Sequence, residues 1–381
     1  MMSHSKIPTY RIKQGCSLVL LSLCLACNGS SVSDEAIMKV SDEWATASTN
    51  HLYASLWELT KKGIMLGHQD DLMFHNVSGE SSNDSNIKLI CGDYPAVFGW
   101  DLGSIETNSA FNGDSIDFES IKQNIRKAHQ LGGIVTLSWQ VSNPAKSNQT
   151  SDCTRYSAIE SVLPKHPNHA LYLTYLDRLA DFFSDLKDEN GMAIPVIFRP
   201  FHSANDLKYW WNTEQNTPEQ YKQLWAMTVD YLRTNKKVNQ LIYAYSAFNV
   251  KNLDEFLRYY PGNDYVDIVG SEVYFSLEND PDGDIFKHDL ERNLLVITTF
   301  SRNNHKIPSI TEIGLEGIKV FNFFSEYVYP IVTKYPVSYM LFWKNARNNH
   351  SQYFIPIPGH PACDDFVSFV NRPNILTCRE I

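Results

Sequence analysis

The stretch Val196-Ile197-Phe198-Arg199-Pro200-Phe201-His202-Ser203 passes from an apolar, β-branched run straight into arginine, histidine and serine. Its first residues do not alternate with polar ones, and this pattern predicts a parallel strand that is buried on both faces. A second run of the same kind, Ile307-Pro308-Ser309-Ile310-Thr311-Glu312, ends in a carboxylate. The two stretches therefore indicate buried strands that deliver charged and hydroxyl groups into one cleft.

Apolar runs with strand character recur eight times along the chain. We predict strands at Ile64–His68, Ala96–Trp100, Ile134–Trp139, Pro195–Phe201, Leu241–Ser246, Val266–Val273, Ser309–Ile313 and Ser338–Trp343. Helix-compatible segments lie between them, among them Ser120–Gln130, Ala170–Lys187, Pro218–Thr234 and Leu290–Ser301. This alternation favours the α/β class and a single (β/α)8 TIM barrel over an open sheet. In such a barrel the active site lies at the carboxyl ends of the strands.

The first 27 residues read as an export signal. Arg11 and Lys13 precede the apolar run Ser17–Ala26, which is too short to span a bilayer. A small residue before Cys27 is typical of a bacterial lipoprotein signal, with lipidation at Cys27, although Cys24 stands where an aliphatic residue is usual. A soluble secreted protein is the alternative.

Three segments follow from this: a lipoprotein-type signal peptide over 1–27, a polar tether over 28–40 and a catalytic-type barrel over 41–381. We expect an exported protein, placed at the outer membrane or cell surface by its lipid, or otherwise periplasmic or secreted. The sequence does not decide between the periplasm and the outside of the cell.

The charge of the chain restricts its partners. Loss of the leader would remove three basic residues and no acidic ones, which takes the net charge from −10 to −13. An acidic protein of this kind is a poor partner for nucleic acid or for an anionic membrane surface. Membrane contact is therefore expected only through a lipid at Cys27, and the sequence does not fix the number of subunits.

Four of the seven cysteines lie beyond the leader: Cys91, Cys153, Cys363 and Cys378. They allow two disulfides in an exported protein, and we expect Cys363 and Cys378 as a local pair, although sequence alone does not give connectivity. Beyond the leader there is neither a CxxC pair nor an HExxH motif, and neither a GxGxxG nor a phosphate loop occurs. We therefore expect no cofactor and no metal site.

The predicted strand ends carry a consistent set of side chains. They are His68, Asp101, Trp139, Gln140, Arg199, His202, Ser203, Tyr274, Glu312 and Trp343, with Trp210 just beyond the fourth strand. Aromatic faces with a rim of hydrogen-bonding groups suit pyranose rings. Core packing is the alternative for each tryptophan taken singly. His68, Asp70 and Asp71 could ligate a cation, but hydrogen bonding in or beside the cleft is favoured.

At these residues the chain resembles glycoside hydrolase family 26, a group of secreted β-1,4-mannanases, and in particular its Bacteroides-type members. The matching blocks are Leu66-Gly67-His68-Gln69-Asp70-Asp71, residues 91–101, residues 132–139, Arg199-Pro200-Phe201-His202, Tyr265-Val266-Asp267, Thr311-Glu312-Ile313-Gly314 and Pro358-Gly359-His360-Pro361. They occur in order over nearly the whole chain beyond the leader.

The resemblance implies a retaining endo-β-1,4-mannanase that acts on β-mannan, galactomannan or manno-oligosaccharides. It places a nucleophilic Glu at Glu312 and an acid/base Glu where this chain has Ser203. It also implies sugar binding by His68, Asp101, Trp139, Gln140, Arg199, His202, Trp210, Tyr274 and Trp343. Gln140 stands where the family usually has His, and Asp206 and Lys208 replace a usual Gly and Trp.

A retaining mechanism needs two carboxyl groups roughly 5–5.5 Å apart, of which one protonates the leaving oxygen. A serine hydroxyl is not acidic enough to do this near neutral pH. Asp206 and Glu272 are candidate substitutes, and a changed linkage or mechanism is a third possibility. Two hypotheses follow: a mannanase with weak or altered activity, or a non-catalytic mannan-binding protein at the cell surface.

Overall fold

Eight parallel strands close into a barrel. The computed structural model describes residues 39–73, 85–146, 158–212, 214–346 and 352–381. The strands are β1 Ile64–Gln69, β2 Val97–Asp101, β3 Ile134–Trp139, β4 Val196–Pro200, β5 Leu241–Phe248, β6 Ile268–Phe275, β7 Ile307–Leu315 and β8 Tyr339–Phe342. Each pairs in parallel with the next, and β8 pairs with β1. The predicted eight strands and the (β/α)8 fold are confirmed.

Helices cover the outside of the barrel between the strands. They are α1 Ala47–Lys62, α2 Asn86–Cys91, α3 Phe118–Gln130, α4 Ala158–Val162, α5 His169–Asp185, α6 Pro218–Asp230, α7 Leu253–Arg258, α8 Asp284–Asn304, α9 Tyr329–Val332 and α10 Cys363–Val370. The start of α6 shows how the sequence sets a boundary. Thr217 accepts from the amide of Gln220 at 3.1 Å, and the Gln220 side chain accepts from the amide of Thr217 at 2.8 Å.

The interior of the barrel changes from apolar to polar along its axis. At the amino ends of the strands, inward residues such as Ile197, Ile242 and Ile268 form one apolar cluster. Helix α1 adds Leu56 to this cluster and so closes that end of the barrel. Side chains alternate along a strand, so two residues after Ile197 the next inward residue of β4 is Arg199. The charged groups thus lie at the carboxyl end, above a sealed apolar floor.

The C-terminal residues add a short parallel strand, β9 Ile375–Leu376, beside β1. This strand was not predicted, because two residues carry no readable periodicity. The expected Cys363–Cys378 disulfide is absent, so that prediction is wrong. Cys363 begins α10 with its sulfur 3.2 Å from the carbonyl of Ile357, whereas the Cys378 sulfur lies 3.2 Å from the carbonyl of Leu131.

The predicted leader, Cys27 and most of the tether lie outside the described residues, as does Cys153. Within the described ranges, none of the helices has both the length and the apolar character needed to cross a membrane.

Candidate active site

An arginine joins two carboxylates at the centre of the barrel mouth. Nη1 of Arg199 donates to Oε1 of Glu272 at 2.7 Å, and Nη2 donates to Oε1 of Glu312. All three side chains are at least 90% buried. Charges buried this deeply persist only when paired, and removal of one partner of such a pair costs about 3–5 kcal/mol. Arg199 therefore fixes the position of both acids.

Glu312 enters the barrel because strand β7 contains a bulge. Ser271 pairs with Ile310 but Glu272 pairs with Glu312, so Thr311 is an extra residue in β7. Strict alternation from Ile307 would point Thr311 inward and Glu312 outward. The extra residue reverses that order and brings Glu312 onto the same interior side as Glu272.

The surroundings of Glu312 suit a nucleophile. Besides Arg199, the Tyr274 hydroxyl donates to Oε2 of Glu312 at 2.8 Å. Burial raises the pKa of the Glu312 carboxyl above its ordinary value, and the charge of Arg199 opposes that shift in part. The carboxylate is thus oriented by two donors and only 6% of the residue is exposed to solvent.

Ser203, at the end of β4, is bonded to Glu272 through both its backbone and its side chain. Its amide donates to Oε1 of Glu272 at 3.1 Å, and its hydroxyl donates to Oε2. Ser203 has φ of 53°, a left-handed conformation that is uncommon outside glycine, asparagine and aspartate. The turn out of β4 therefore aims the serine at Glu272.

Several donors hold Glu272 in its ionised form. Its Oε1 also accepts from the hydroxyl of Ser246. Burial alone would raise the pKa of Glu272, but the charge of Arg199 and hydrogen bonds from two serines outweigh it and hold that pKa below its ordinary value. The group therefore remains an ionised acceptor.

A polar wall formed by β2 and β3 lies beside His202. Gln140 Nε2 lies 3.2 Å from His202 Nε2. The Asp101 carboxylate accepts from Ser138 at 2.7 Å and from the amide of Gln140 at 3.2 Å. Burial, followed by the charge of Arg199, lowers the pKa of His202 to about 4. His202 is thus neutral at neutral pH, and Gln140 is well placed to face a bound sugar because it is only half-buried.

Two tryptophans expected to contact sugar lie behind the cleft. Trp139 is completely buried and donates to Glu106 at 3.0 Å. Trp210 is also completely buried and donates to the carbonyl of Val141 at 2.9 Å. In this conformation neither ring has a free face for a ligand, because both rings pack in the hydrophobic core.

The half-buried rings at the mouth are Tyr209 and Trp343, together with Tyr274. Tyr209 stacks on Trp211 with a centroid distance of 4.6 Å and lies 4.9 Å from the His202 ring. The sequence analysis selected Trp210 as the sugar-binding ring. The run Tyr209-Trp210-Trp211 did indicate an aromatic contact, but the ring at the mouth is that of Tyr209. Which ring faces outward depends on the turn after β4, which the sequence pattern does not reveal.

Acidic groups and one lysine occupy the side of the mouth next to β1. His68 Nδ1 bonds to Asp71 at 2.7 Å with both side chains fully buried. Lys344, which follows β8, pairs with Asp114. Burial raises the pKa of Asp70 to about 7, and the nearby charge of Lys344 opposes this. Among the residues that the structure describes, no cluster of three or more His, Cys, Asp or Glu is arranged to hold a metal ion.

A parallel barrel that holds a buried, oriented carboxylate and half-buried rings at its carboxyl end is an arrangement that suits a glycoside hydrolase. The model of glycosyl hydrolase family 26 matches residues 41–331, and the chain belongs to that family.

The relatives have consistent names. A mannan endo-1,4-β-mannosidase of Bifidobacterium adolescentis is 30% identical over 375 residues, covering 93% of this chain and 37% of that protein. A mannan endo-1,4-β-mannosidase of Bacillus subtilis is 28% identical, with 68% of each chain covered. The solved family 26 β-mannanase of Bacteroides ovatus superposes with a TM-score of 0.83 at 36% identity, covering 88% of this chain and 96% of that one. This chain thus spans little more than a third of the Bifidobacterium protein.

Proposed function

We propose that this protein binds β-1,4-mannan or manno-oligosaccharides across the carboxyl end of the barrel without appreciable hydrolysis. The relatives named for endo-β-1,4-mannosidase activity support the substrate class. The observation that carries the rest is the hydrogen bond from Ser203 to Glu272, at the position where the family resemblance places the proton donor.

The half of the site that attacks the sugar is retained. Glu312 is held by Arg199 and by the Tyr274 hydroxyl, and the half-buried Trp343 lies at the adjacent strand end. A carboxylate ordered in this way is suited to attack an anomeric carbon. Sugar binding does not depend on a proton donor, so the protein should still bind the sugar without the acid.

Neither Asp206, Glu272 nor His202 replaces the group that protonates the leaving oxygen. Asp206 pairs with the exposed Lys208 at 3.0 Å in a turn beyond Ser203. Glu272 is held ionised, and His202 carries no proton to give at neutral pH. General acid–base catalysis contributes about 10²–10⁴-fold in rate, and an unactivated sugar alkoxide draws on most of it.

A second candidate, an endo-mannanase of weak or altered activity, is favoured by the same intact Glu312, Tyr274 and Arg199. The two candidates differ in turnover and not in binding. Under both, an aryl β-mannobioside whose leaving group needs no proton should react with Glu312. The glycosyl-enzyme should then accumulate, since Ser203 gives no general base to activate water.

The deciding experiment compares the unmodified protein with Ser203→Glu. We expect binding of mannohexaose by calorimetry, negligible shortened products from mannohexaose or galactomannan, and at least about tenfold faster hydrolysis after the substitution. Strong turnover of mannohexaose by the unmodified protein would refute the binding role. Release of the aryl group should be lost in Glu312→Ala, and an unchanged rate there would show that the nucleophile is another residue.

We also propose that the protein is a lipoprotein. A lipid on Cys27 would attach it to the outer membrane, on either the periplasmic or the outer side. The amide of Ser41 donates to Asp267 at 2.5 Å, at the amino end of β6, so the chain enters the barrel at the end opposite the site. Cys27→Ser should move the protein from the detergent phase to the aqueous phase, and detergent partitioning by that variant would disprove the anchor.

A further inference from the structure

A line of rings, here called the aromatic strip, leads from Glu312 out over the loops that follow β7 and β8. It consists of Tyr274, Phe354, Tyr353, His360 and Phe321. The ring of Tyr274, which binds the nucleophile, lies 5.9 Å from that of Phe354. Tyr353, the neighbour of Phe354 in sequence, lies 5.0 Å from His360, and His360 lies 6.1 Å from Phe321.

The inner part of the aromatic strip is held rigidly. The buried side chain of Asn345 accepts from the amides of Phe354 and Ile355 at 2.7 and 3.1 Å and donates to the carbonyl of Ile355 at 3.1 Å. The amide of Gly317 donates to the carbonyl of Tyr353 at 2.8 Å, which joins the β7 loop to the β8 loop. The Phe354 ring packs directly on Gly314, where an added Cβ would meet it at 2.3 Å.

The outer end of the aromatic strip is open to solvent. Phe321 is 53% exposed, whereas Tyr353 and His360 are half-buried. Single exposed apolar residues are common on proteins and need no explanation. Phe321 differs because its edge-to-face contact with His360 links it, through Tyr353 and the neighbouring Phe354, to the ring of Tyr274 beside Glu312.

We propose that the aromatic strip is a binding subsite for β-1,4-linked mannosyl units that extend from the cleft, with Phe321 as its outermost platform. The inference rests on the proposed function, since the occupant is the same chain that lies over Glu312. Three features favour this occupant: ring contacts and backbone link the strip to the site, it lies in the loops at the carboxyl ends of β7 and β8, and it is aromatic.

The electrostatics of the strip agree with a neutral ligand. Burial lowers the pKa of His360, and its Nδ1 accepts from the amide of Ala362 at 3.1 Å, so the ring is uncharged at neutral pH with Nε2–H available as a donor. Apolar rings beside hydrogen-bonding groups suit a pyranose, which has an apolar face and a rim of hydroxyls.

The test uses the whole protein and calorimetric titration with mannotriose and mannohexaose. The variants are Phe321→Ala, Phe321→Tyr, which keeps the ring, and Leu295→Ala, an apolar residue on α8 with a similar exposure of 57%. We expect Phe321→Ala to weaken mannohexaose binding about three- to tenfold and to leave mannotriose within about twofold. Phe321→Tyr and Leu295→Ala should bind both sugars as the unmodified protein does.

The possible failures are distinguishable. If the unmodified protein binds both sugars but Phe321→Ala is without effect, the subsite is refuted and the proposed function stands. The subsite is also refuted, and the proposed function stands, if Phe321→Ala weakens the binding of both sugars equally, because the effect then arises in the cleft itself. If the unmodified protein binds neither sugar, the proposed function and the subsite fail together.

Discussion

Ser203 gives both of its hydrogen-bond donors to Glu272: the amide to Oε1 at 3.1 Å and the hydroxyl to Oε2. The serine is therefore part of the buried ionic network, in which Arg199 holds Glu272 from the other side. A hydroxyl committed in this way stabilises an ionised carboxylate and has no proton for a leaving group.

Ser203→Ala should show whether the Ser203 hydroxyl stabilises the fold or takes part in the reaction. Loss of a hydrogen bond to a buried charged group should lower the free energy of unfolding by about 1.5–3 kcal/mol, measured by urea denaturation. The rate of aryl release from an aryl β-mannobioside should stay within about twofold, because the hydroxyl takes no part in that step. Ser246→Ala, which removes another hydroxyl from Glu272, is the matched control. A loss of aryl release confined to Ser203→Ala would show that the hydroxyl does participate.

The pH dependence of aryl release should have one limb. Glu312 must be ionised to attack, and burial raises its pKa above the ordinary 4.5, so the rate should rise with pH through a value above 4.5 and then level off. No descending limb is expected, since this leaving group needs no proton. Measurement of kcat/KM for aryl release from pH 3 to 9 should show this. Hydrolysis of mannohexaose by Ser203→Glu, which does need a proton, should fall again at high pH. A bell-shaped profile of mannohexaose hydrolysis by the unmodified protein would reveal a working acid.

The barrel was predictable because its strands are continuous apolar runs, and a strand buried on both faces needs such a run. The start of α6 was predictable for a local reason as well, since Thr217, Pro218 and Gln220 form a capping box whatever the tertiary structure. The position of Glu312 in the carboxyl-terminal half of a strand was also readable, although β7 continues to Leu315.

The orientation of side chains at the site was not predictable in the same way. Strict alternation would point Glu312 outward, and only the bulge at Thr311 turns it inward. Trp139 and Trp210 share the sequence character of ligand-binding aromatics, yet they are buried by neighbours distant in sequence, such as Glu106. The link from Ser203 to Glu272 spans 69 positions and depends on the closed barrel.

Gly270→Ala should disturb the bulge that orients Glu312. A Cβ at Gly270 would lie 2.4 Å from Cγ2 of Thr311 and 2.7 Å from its Oγ1. Overpacking of this kind costs about 1–3 kcal/mol, and here it also pushes the residue next to the nucleophile. We expect a lower free energy of unfolding and at least about tenfold slower aryl release, since small displacements of reacting groups are costly.

The double variant Gly270→Ala/Thr311→Ala removes the clashing atoms and should recover most of the lost stability. If the two substitutions instead add independently, the contact between Gly270 and Thr311 does not control the bulge.

Asp70→Asn should stabilise the protein more at high pH than at low pH. Burial raises the folded-state pKa of Asp70 to about 7, whereas an unfolded aspartate titrates near 3.9. Between these values the native state holds a proton that the unfolded state has lost, so this group makes stability fall as pH rises. Asparagine tolerates the φ of 58° at this position and carries no charge to bury.

Urea denaturation at pH 5 and pH 8 should show a stabilisation by Asp70→Asn that is larger at pH 8 by about 1–3 kcal/mol. Asp71→Ala, which removes the hydrogen-bond partner of His68, should lower stability at both pH values. An equal effect of Asp70→Asn at the two pH values would mean that Asp70 titrates normally in the folded protein.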